Sequence, residues 1–379
     1  MTRLIFLCIL FTIHCSLFTV VAHAQTIKEF PIPTAYSRPV DIAAASSGDI
    51  WLVEESANKL ARFDVQKESF KEIDIPYKNA GPSSISINDD VVWLTLSLDN
   101  SIVSFTISSK TFKRFQIPTN DSVPYGVAVD SSSIVWFTER NANKIGRLEP
   151  STGKFKEYPV PTQNSQPAGI TIGRDSMIWF AEANGNKIGM LDPAAGSITE
   201  YEILTKFANA SRITTDNEGN IWFTEQSSNK LGMFNVSAKK INNAIIPTPA
   251  SVPTGIAVDK NNIVWFTENR GNKIGRFDPQ IPLFTEYEIP TQRSLPTGIT
   301  IDKNSTVWFT EVDRDANKLG MIKDSQGSGV KSQGPGDFSP IREKNGQESR
   351  KETFSIISGI ILISAAIIIL YLSRRHKGK

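Results

Sequence analysis

Six glutamates recur through the sequence at a nearly constant interval, each at the end of a short apolar segment of the W-F-T-E type. They are Glu54, Glu139, Glu182, Glu225, Glu268 and Glu311. Carboxylates gathered at one place can hold a divalent cation, or raise one another's pKa until one acts as a general base. Alternatively, each glutamate pairs with a nearby lysine or backbone amide and only closes its own repeat, and its repetition favours this structural role.

Histidine and cysteine are confined to the two ends of the chain. They are Cys8, Cys15, His14, His23 and His376. If the N-terminal segment is removed, the body has neither residue type, which excludes disulfides, thiolate nucleophiles, Cys/His zinc sites and histidine bases there. Chemistry in the body would then depend on carboxylates, hydroxyls, amides, lysine, arginine or a metal held by oxygen.

The charge balance argues against a nucleic-acid partner. The chain has 41 Lys+Arg against 39 Asp+Glu, a formal net charge of +2. The surplus bases lie near the two ends, so the body between them is slightly acidic. We therefore expect no phosphate-seeking surface on the body.

The spacing of the tryptophans indicates the repeating unit that must position the glutamates. All seven belong to one series with a first step of 42 residues and then a constant step of 43: Trp51, Trp93, Trp136, Trp179, Trp222, Trp265 and Trp308. Such regular spacing defines an internal repeat. We predict these tryptophans to be buried scaffold residues, because each buries a large apolar surface.

Each repeat predicts four short strands. In the sixth repeat these begin at P-T-G-I (253–256), I-V-W-F-T-E (263–268), N-K-I-G-R (272–276) and E-Y-E-I-P-T (286–291). The consecutive apolar residues of the second strand indicate burial on both faces. Four-stranded units of this length, repeated radially, predict an all-β fold, a seven-bladed β-propeller.

The two ends of the repeat region predict how the ring closes. The last repeat stops after its third strand at Gly320-Met321-Ile322, and a matching fourth strand stands at residues 27–34. A solenoid would instead need polar caps. We therefore expect the N-terminal strand to complete the last blade of a propeller domain spanning 25–323, which removes the open sheet edge.

Strand order predicts which residues share a side of the propeller. The P-x-G start of the first strand, the glutamate ending the second and the following Asn-Lys pair should lie on one rim near the central channel. The second repeat departs from the pattern with Leu96, and the last has two extra residues around Asp313-Arg314-Asp315. Candidate binding residues are Glu139, Glu182, Glu225, Glu268, Asp313 and Asp315, and candidate metal ligands are Glu268 and Glu311.

The terminal segments predict a cell-membrane protein. Residues 1–24 have a basic start, an apolar run and a small-x-small site, as in a secretory signal, although an uncleaved anchor is the alternative. Residues 324–353 form a hydrophilic, flexible tether, and 354–373 a transmembrane helix. The basic tail at 374–379 places the propeller outside and the tail in the cytoplasm. The same C-terminal pattern, an apolar segment followed by basic residues, is also typical of a cell-surface sorting signal, which is the alternative.

The repeat G-I-x-x-D-x-x-x-x-V-W-F-T-E-x-x-x-N-K-I-G, followed by E-Y-x-I-P-T, resembles the virginiamycin B lyase (streptogramin lyase) family across roughly residues 26–323. The resemblance implies a seven-bladed propeller that opens the ring of type B streptogramins by elimination, with Mg²⁺ as cofactor. It also implies a histidine at the P-x-G position, a glutamate 14 residues later and another histidine one blade earlier. In this sequence Glu311 is kept as the candidate catalytic glutamate, but Thr297 and Thr254 stand at the histidine positions.

Two functions remain open from the sequence. The first is a monomeric, anchored recognition module that binds a small molecule, a glycan or a surface protein. The second is a metal-dependent lyase or lactone-opening hydrolase that uses carboxylates alone. We favour the first, since a fold by itself does not determine function.

Overall fold

The computed structural model describes residues 27–323 and 330–333, and every regular element in these ranges is a β-strand. The predicted signal segment, the transmembrane helix and the basic tail lie outside the described residues. Inside them, no helix has the length and apolar character needed to cross a membrane.

The strands of these ranges form seven antiparallel sheets, which confirms the seven-bladed β-propeller. The innermost strands are β2 (Pro39–Ala44), β6 (Pro82–Asn88), β10 (Pro124–Val129), β14 (Pro167–Ile172), β18 (Ala210–Thr215), β22 (Pro253–Val258) and β26 (Pro296–Ile301). The second strands are β3 (Ile50–Glu54), β7 (Val91–Leu96), β11 (Val135–Glu139), β15 (Ile178–Glu182), β19 (Ile221–Glu225), β23 (Val264–Glu268) and β27 (Thr306–Glu311). The third strands are β4 (Lys59–Asp64), β8 (Ser101–Thr106), β12 (Lys144–Glu149), β16 (Lys187–Asp192), β20 (Lys230–Asn235), β24 (Lys273–Asp278) and β28 (Lys318–Lys323). The outer strands of the first six blades are β5 (Ser69–Asp74), β9 (Thr111–Gln116), β13 (Lys154–Pro159), β17 (Ser197–Glu202), β21 (Lys240–Ile245) and β25 (Leu283–Glu288).

The seventh blade is completed by the start of the chain, as the sequence predicts. Strand β1 (Lys28–Pro31) pairs antiparallel with β28, with Lys28 opposite Met321 and Pro31 opposite Lys318. The buried ring of Phe30 stacks on Trp308 at 6.2 Å between ring centres. Ring closure therefore combines backbone pairing with burial of an aromatic side chain, and β1 covers the outer edge that β28 would otherwise leave open.

The sixth blade carries a fifth strand that the sequence analysis does not predict. Strand β29 (Val330–Gln333), inside the predicted tether, pairs antiparallel with β25, so that Gln333 lies opposite Leu283 and Val330 opposite Glu286. The strand covers the exposed edge of this blade. The other tether residues lie outside the described ranges.

The apolar core lies between neighbouring blades. The second strand β11 is buried along its whole length. Its Trp136 packs in one cluster with Ile170 and Phe180 of the next blade. Close packing on both faces explains why these segments are continuous apolar runs rather than alternating ones. The tryptophans act as scaffold residues, as predicted.

The loops that join the second and third strands and the loops that join consecutive blades lie on one face, which we call the upper rim. Register fixes this arrangement, because Pro124 at the start of β10 pairs with Glu139, which in turn pairs with Lys144. The asparagine before this lysine, Asn143, has a left-handed φ of 57°. The glutamates and the Asn-Lys pairs therefore share the rim that the sequence predicts.

Candidate functional site at the upper rim

The six blade glutamates lie at the upper rim but are enclosed inside their own blades. Each has 0% of its surface exposed. The central cavity is lined by innermost strands, through residues such as Asp41, Gly126, Arg212 and Ile299, and not by these glutamates. The expectation that several carboxylates converge on the channel mouth is therefore not met. The cause is geometric, since a strand pattern predicts the rim on which a residue lies but not the direction of its side chain.

A second glutamate and a lysine surround each enclosed carboxyl in most blades. In the third blade, Lys144 Nζ donates to Glu157 Oε2 at 2.7 Å and to Thr119 Oγ1 at 2.7 Å. Thr119 donates its own hydroxyl to Glu157 at 2.7 Å. The equivalent lysine-to-glutamate pairs are Lys59–Glu72, Lys187–Glu200, Lys273–Glu286 and Lys318–Glu29. The lysine thus stabilises the outer glutamate rather than the enclosed one.

The two glutamates of such a pair have opposite pKa shifts. Burial, and then repulsion from Glu157, raises the pKa of Glu139 to about 8. Burial likewise raises the pKa of Glu268 and Glu311 to about 8. Burial opposes ionisation of Glu157 too, but the hydrogen bonds from Lys144 and Thr119 outweigh it and lower its pKa. At neutral pH the enclosed carboxyl therefore holds its proton while the outer one is ionised.

The same shift occurs in the remaining blades that carry an enclosed glutamate. Burial raises the pKa of Glu54 and Glu182 to about 7. It also raises the pKa of Glu225, whose blade has Asn243 at the outer position instead of glutamate. A carboxyl without access to solvent is a structural group, and this supports the structural alternative for the predicted binding residues Glu139, Glu182, Glu225 and Glu268.

Threonines occupy the positions of the two implied histidines, and their hydroxyl groups are already hydrogen-bonded. Thr297 Oγ1 donates to the Leu295 carbonyl at 3.1 Å and accepts from Asn269 Nδ2 at 3.2 Å. Thr254 Oγ1 donates to the Val252 carbonyl at 3.2 Å. Neither hydroxyl has a basic partner in these contacts, so neither is activated as a nucleophile or base.

The extra loop of the last blade lies on the surface beyond Glu311. Asp313 Oδ1 accepts the Asp315 backbone N–H at 3.0 Å, a local turn contact. Arg314 stacks over Tyr36, with 4.3 Å between the guanidinium carbon and the ring centre. Asp315 is exposed and Asp313 half-buried, whereas Glu311 is fully buried. The loop therefore adds carboxylates to the rim but does not open the enclosed glutamate.

The residues at this rim do not fit the magnesium ion that the resemblance implies. Beside Glu311, the ammonium of Lys318 already neutralises Glu29 at 2.8 Å. The two threonines at the positions of the implied histidines donate their hydroxyls to backbone carbonyls. Among the described residues there is no group of three or more Asp, Glu, His or Cys side chains placed to hold a metal. Glu268 and Glu311 therefore lack the open oxygen ligands that Mg²⁺ needs.

The central channel contains a polar network that no sequence motif predicts. Arg212 Nη1 donates to Asp41 Oδ2 at 3.1 Å and approaches Ser84 Oγ at 3.4 Å. Ser84 Oγ donates to the same carboxylate oxygen at 2.7 Å. The three side chains border a cavity of about 150 Å³ on the channel axis. Asp41 and Arg212 belong to the first and fifth blades, so the ion pair crosses the channel.

The sequence feature that could have indicated this network is the replacement of glycine in the P-x-G element of some blades. Gly126 shows why glycine is usual there, because a Cβ atom would lie 2.7 Å from the Ala168 carbonyl oxygen. Three blades replace this glycine, with Asp41, Ser84 and Arg212. The innermost strands also carry a β-bulge at this point, which redirects side chains towards the axis.

An aromatic and basic cluster lies above the network. The Tyr125 ring is 5.1 Å from the Arg140 guanidinium carbon and 5.5 Å from that of Arg212. Arg140 Nη2 also reaches Gln166 Oε1 at 3.4 Å. This cluster combines fixed positive charge with a phenol at the channel mouth, and it can contact a ligand approaching the upper rim.

Comparison with known families and structures gives a consistent result. The sequence profile of the virginiamycin B lyase family matches residues 17–152 and 68–331. A solved structure of streptogramin B lyase is 32% identical with a TM-score of 0.74, and the match covers 79% of this chain and 97% of that chain.

Two structures of virginiamycin B lyase from Staphylococcus aureus are similar to the same extent. A selenomethionine-substituted form is 31% identical, and a catalytically inactive variant with quinupristin is 32% identical. Both have a TM-score of 0.74, and the matches cover 79% of this chain and 99% of those chains. Comparison with curated proteins gave no match.

Proposed function

The chain belongs to the virginiamycin B lyase family, and we propose that it acts as a membrane-anchored binding module at the cell surface rather than as a lyase. The observation that carries this proposal is the enclosure of Glu311, which is 0% exposed. Thr297 and Thr254 stand at the positions of the implied histidines. The three positions that the resemblance marks for catalysis thus offer no accessible base.

The chemical reason is that these side chains cannot reach a proton of a bound substrate. A general base must come within hydrogen-bonding distance of the proton that it removes. The carboxyl of Glu311 is fully buried, and burial keeps it protonated at neutral pH. A threonine hydroxyl does not act as a base without an activating partner. Elimination at these three positions would therefore require an accessible base that they do not provide.

A binding role uses what the rim does offer. It presents Tyr125, Arg140 and the polar loops between blades, held by a closed ring. We propose that a monomer of this propeller binds a small molecule, a glycan or a surface protein there, and that nucleic acid is not a partner.

The proposed location follows from the sequence at both ends. Residues 1–24 would direct export, 354–373 would anchor the chain once in the membrane, and 374–379 would remain in the cytoplasm. Protease treatment of intact cells tests this arrangement. External protease should remove the propeller and spare the tail, whereas a propeller protected until the cells are lysed would contradict it.

The competing lyase function is favoured by 32% identity over 97% of a streptogramin B lyase chain. The deciding experiment incubates the full chain, purified in mild detergent, with a type B streptogramin in the presence and absence of Mg²⁺. Chromatography and mass spectrometry then follow the antibiotic, with the S. aureus enzyme as positive control. We expect unchanged antibiotic. A linear product of unchanged mass would establish elimination, and a product heavier by one water would establish hydrolysis, and either would overturn the binding proposal.

A further inference from the structure

We propose that the mouth of the central channel binds a small molecule through a carboxylate group, held by Arg140 and the phenol of Tyr125. This inference deepens the proposed binding function, on which it rests, by naming the ligand class and the residues. Its test does not depend on the cellular location of the protein or on any antibiotic.

Stacking gives the site a fixed geometry. Tyr125 lies at the β-bulge of β10, and its ring has one guanidinium at 5.1 Å and another at 5.5 Å. A guanidinium held against an aromatic ring loses little further freedom when it binds a ligand. Nη2 of Arg140 contacts Gln166 Oε1 at 3.4 Å, and the other N–H groups at its edge can bind the oxygens of a carboxylate.

Charge balance distinguishes the two arginines. Arg212 is neutralised by Asp41 at 3.1 Å, and both side chains are mostly buried. The hydrogen bond found for Arg140 goes to the neutral amide of Gln166 at 3.4 Å. Within residues 27–323, no carboxylate forms an ion pair with Arg140. The cluster thus has one unbalanced positive charge, and it lies where a ligand can enter.

The network beneath the cluster limits where the anion can sit. Asp41 pairs with Arg212 and repels a second anion near that guanidinium, so the carboxylate belongs at Arg140. The cavity of about 150 Å³ below provides room for roughly five water molecules or a short polar substituent. A small carboxylate with a compact neutral body fits this arrangement better than a polyanion does.

The experiment titrates the full chain in mild detergent with sodium benzoate by calorimetry, and uses benzamide as the neutral probe of similar shape. We expect benzoate to bind and benzamide to bind at least tenfold more weakly. Arg140→Gln should weaken benzoate binding at least tenfold, Arg140→Lys should weaken it less, and Tyr125→Phe should weaken it several-fold. Near-ultraviolet circular dichroism and the thermal midpoint establish that each variant is folded.

A matched control is available in the same blade. Arg147 also lies over an aromatic ring, with 5.9 Å to Trp136, but it is on β12 and away from the channel. Arg147→Gln should bind benzoate as the unmodified chain does. The proposal is overturned if benzoate does not bind, if benzamide binds equally, if Arg140→Gln leaves the affinity unchanged, or if inorganic phosphate competes more strongly than benzoate at the same residues.

Discussion

Arg212 donates to Asp41 across the central channel, from innermost strands that belong to the fifth and first blades. The two side chains are 16% and 12% exposed, so each neutralises the other's charge in a mostly buried site. Sequence-neighbouring blades are held by continuous packing, whereas this contact joins blades that are not adjacent. It therefore stabilises the ring as a whole rather than any one interface.

Breaking this pair on one side should be more harmful than removing it completely. Asp41→Gly leaves a buried arginine unpaired and is expected to cost about 3–5 kcal/mol in the free energy of unfolding. Asp41→Gly combined with Arg212→Gly restores the usual repeat residue at both positions and should cost less. Urea denaturation of the single and double variants measures the difference. A double variant less stable than the single one would show that the pair contributes through packing rather than charge.

The enclosed glutamates predict that the protein becomes less stable as pH rises. Burial raises the pKa of Glu139 from 4.5 to about 8, so between these values the folded protein keeps a proton that the unfolded chain releases. The unfolded state then binds fewer protons, and the free energy of unfolding falls as pH increases. Below about pH 4.5 the sign reverses, because outer glutamates such as Glu29 and Glu157 have lowered pKa values. The urea midpoint should therefore be highest near pH 5 and fall towards pH 9.

Glu139→Gln tests the source of this slope. Glutamine imitates the protonated carboxyl, so the variant should be more stable at pH 9, by on the order of 4 kcal/mol, and should show a shallower pH dependence. Glu149→Gln in the same blade is the control, since that side chain is 36% exposed. A slope unchanged by Glu139→Gln would mean that this carboxyl does not titrate in the window.

Replacing tryptophan by phenylalanine should destabilise some blades more than others, because the indole N–H groups differ in their hydrogen bonding. Trp308 Nε1 donates to Asp302 Oδ2 at 3.0 Å. Trp179 Nε1 is buried without a hydrogen-bond partner among the described residues, because Gly173 replaces the aspartate six positions earlier. Trp308→Phe should therefore destabilise the protein by about 1–2 kcal/mol more than Trp179→Phe. Equal shifts of the thermal midpoint would contradict this reasoning.

The asparagines of the upper rim should be unusually sensitive to loss of the amide. Asn143 Nδ2 donates to the Val160 and Thr162 carbonyls at 3.1 and 2.9 Å, and its Oδ1 accepts the Ser165 N–H at 2.8 Å. Asn143→Asp removes both donors and leaves two carbonyls unpaired, at a cost of about 2–4 kcal/mol. Asn141→Asp, at an exposed position in the same loop, is the control. Similar denaturation midpoints for the two variants would show that the loop is held by other contacts.

The architecture could be predicted because each blade repeats the same information. The spacing of Trp51 to Trp308, the doubly apolar second strands and the displaced fourth strand at residues 27–34 together determine the blade number, the strand order and the closure. None of these inferences depends on knowing which way a single side chain points.

The site was harder to predict because it depends on directions and on distant partners. The strand pattern places Glu311 at the upper rim, but only the packing of neighbouring strands shows that its carboxyl is enclosed. Asp41 and Arg212 are 171 positions apart, and their meeting follows from ring geometry rather than from any local motif. The four residues of β29 carry no alternating pattern, so their pairing with β25 depends on proximity to an open edge.

Closure of the ring by β1 also has a consequence for synthesis. Glu29 and its partner Lys318 are 289 positions apart in the chain. At roughly 5–20 residues per second, the ribosome needs about 15–60 s to supply the partner of the first strand. During that interval the N-terminal strand has no partner, and the growing propeller exposes an unfinished edge. Nascent chains are thus vulnerable until their last blade emerges, and slow translation or early termination would favour aggregation over folding.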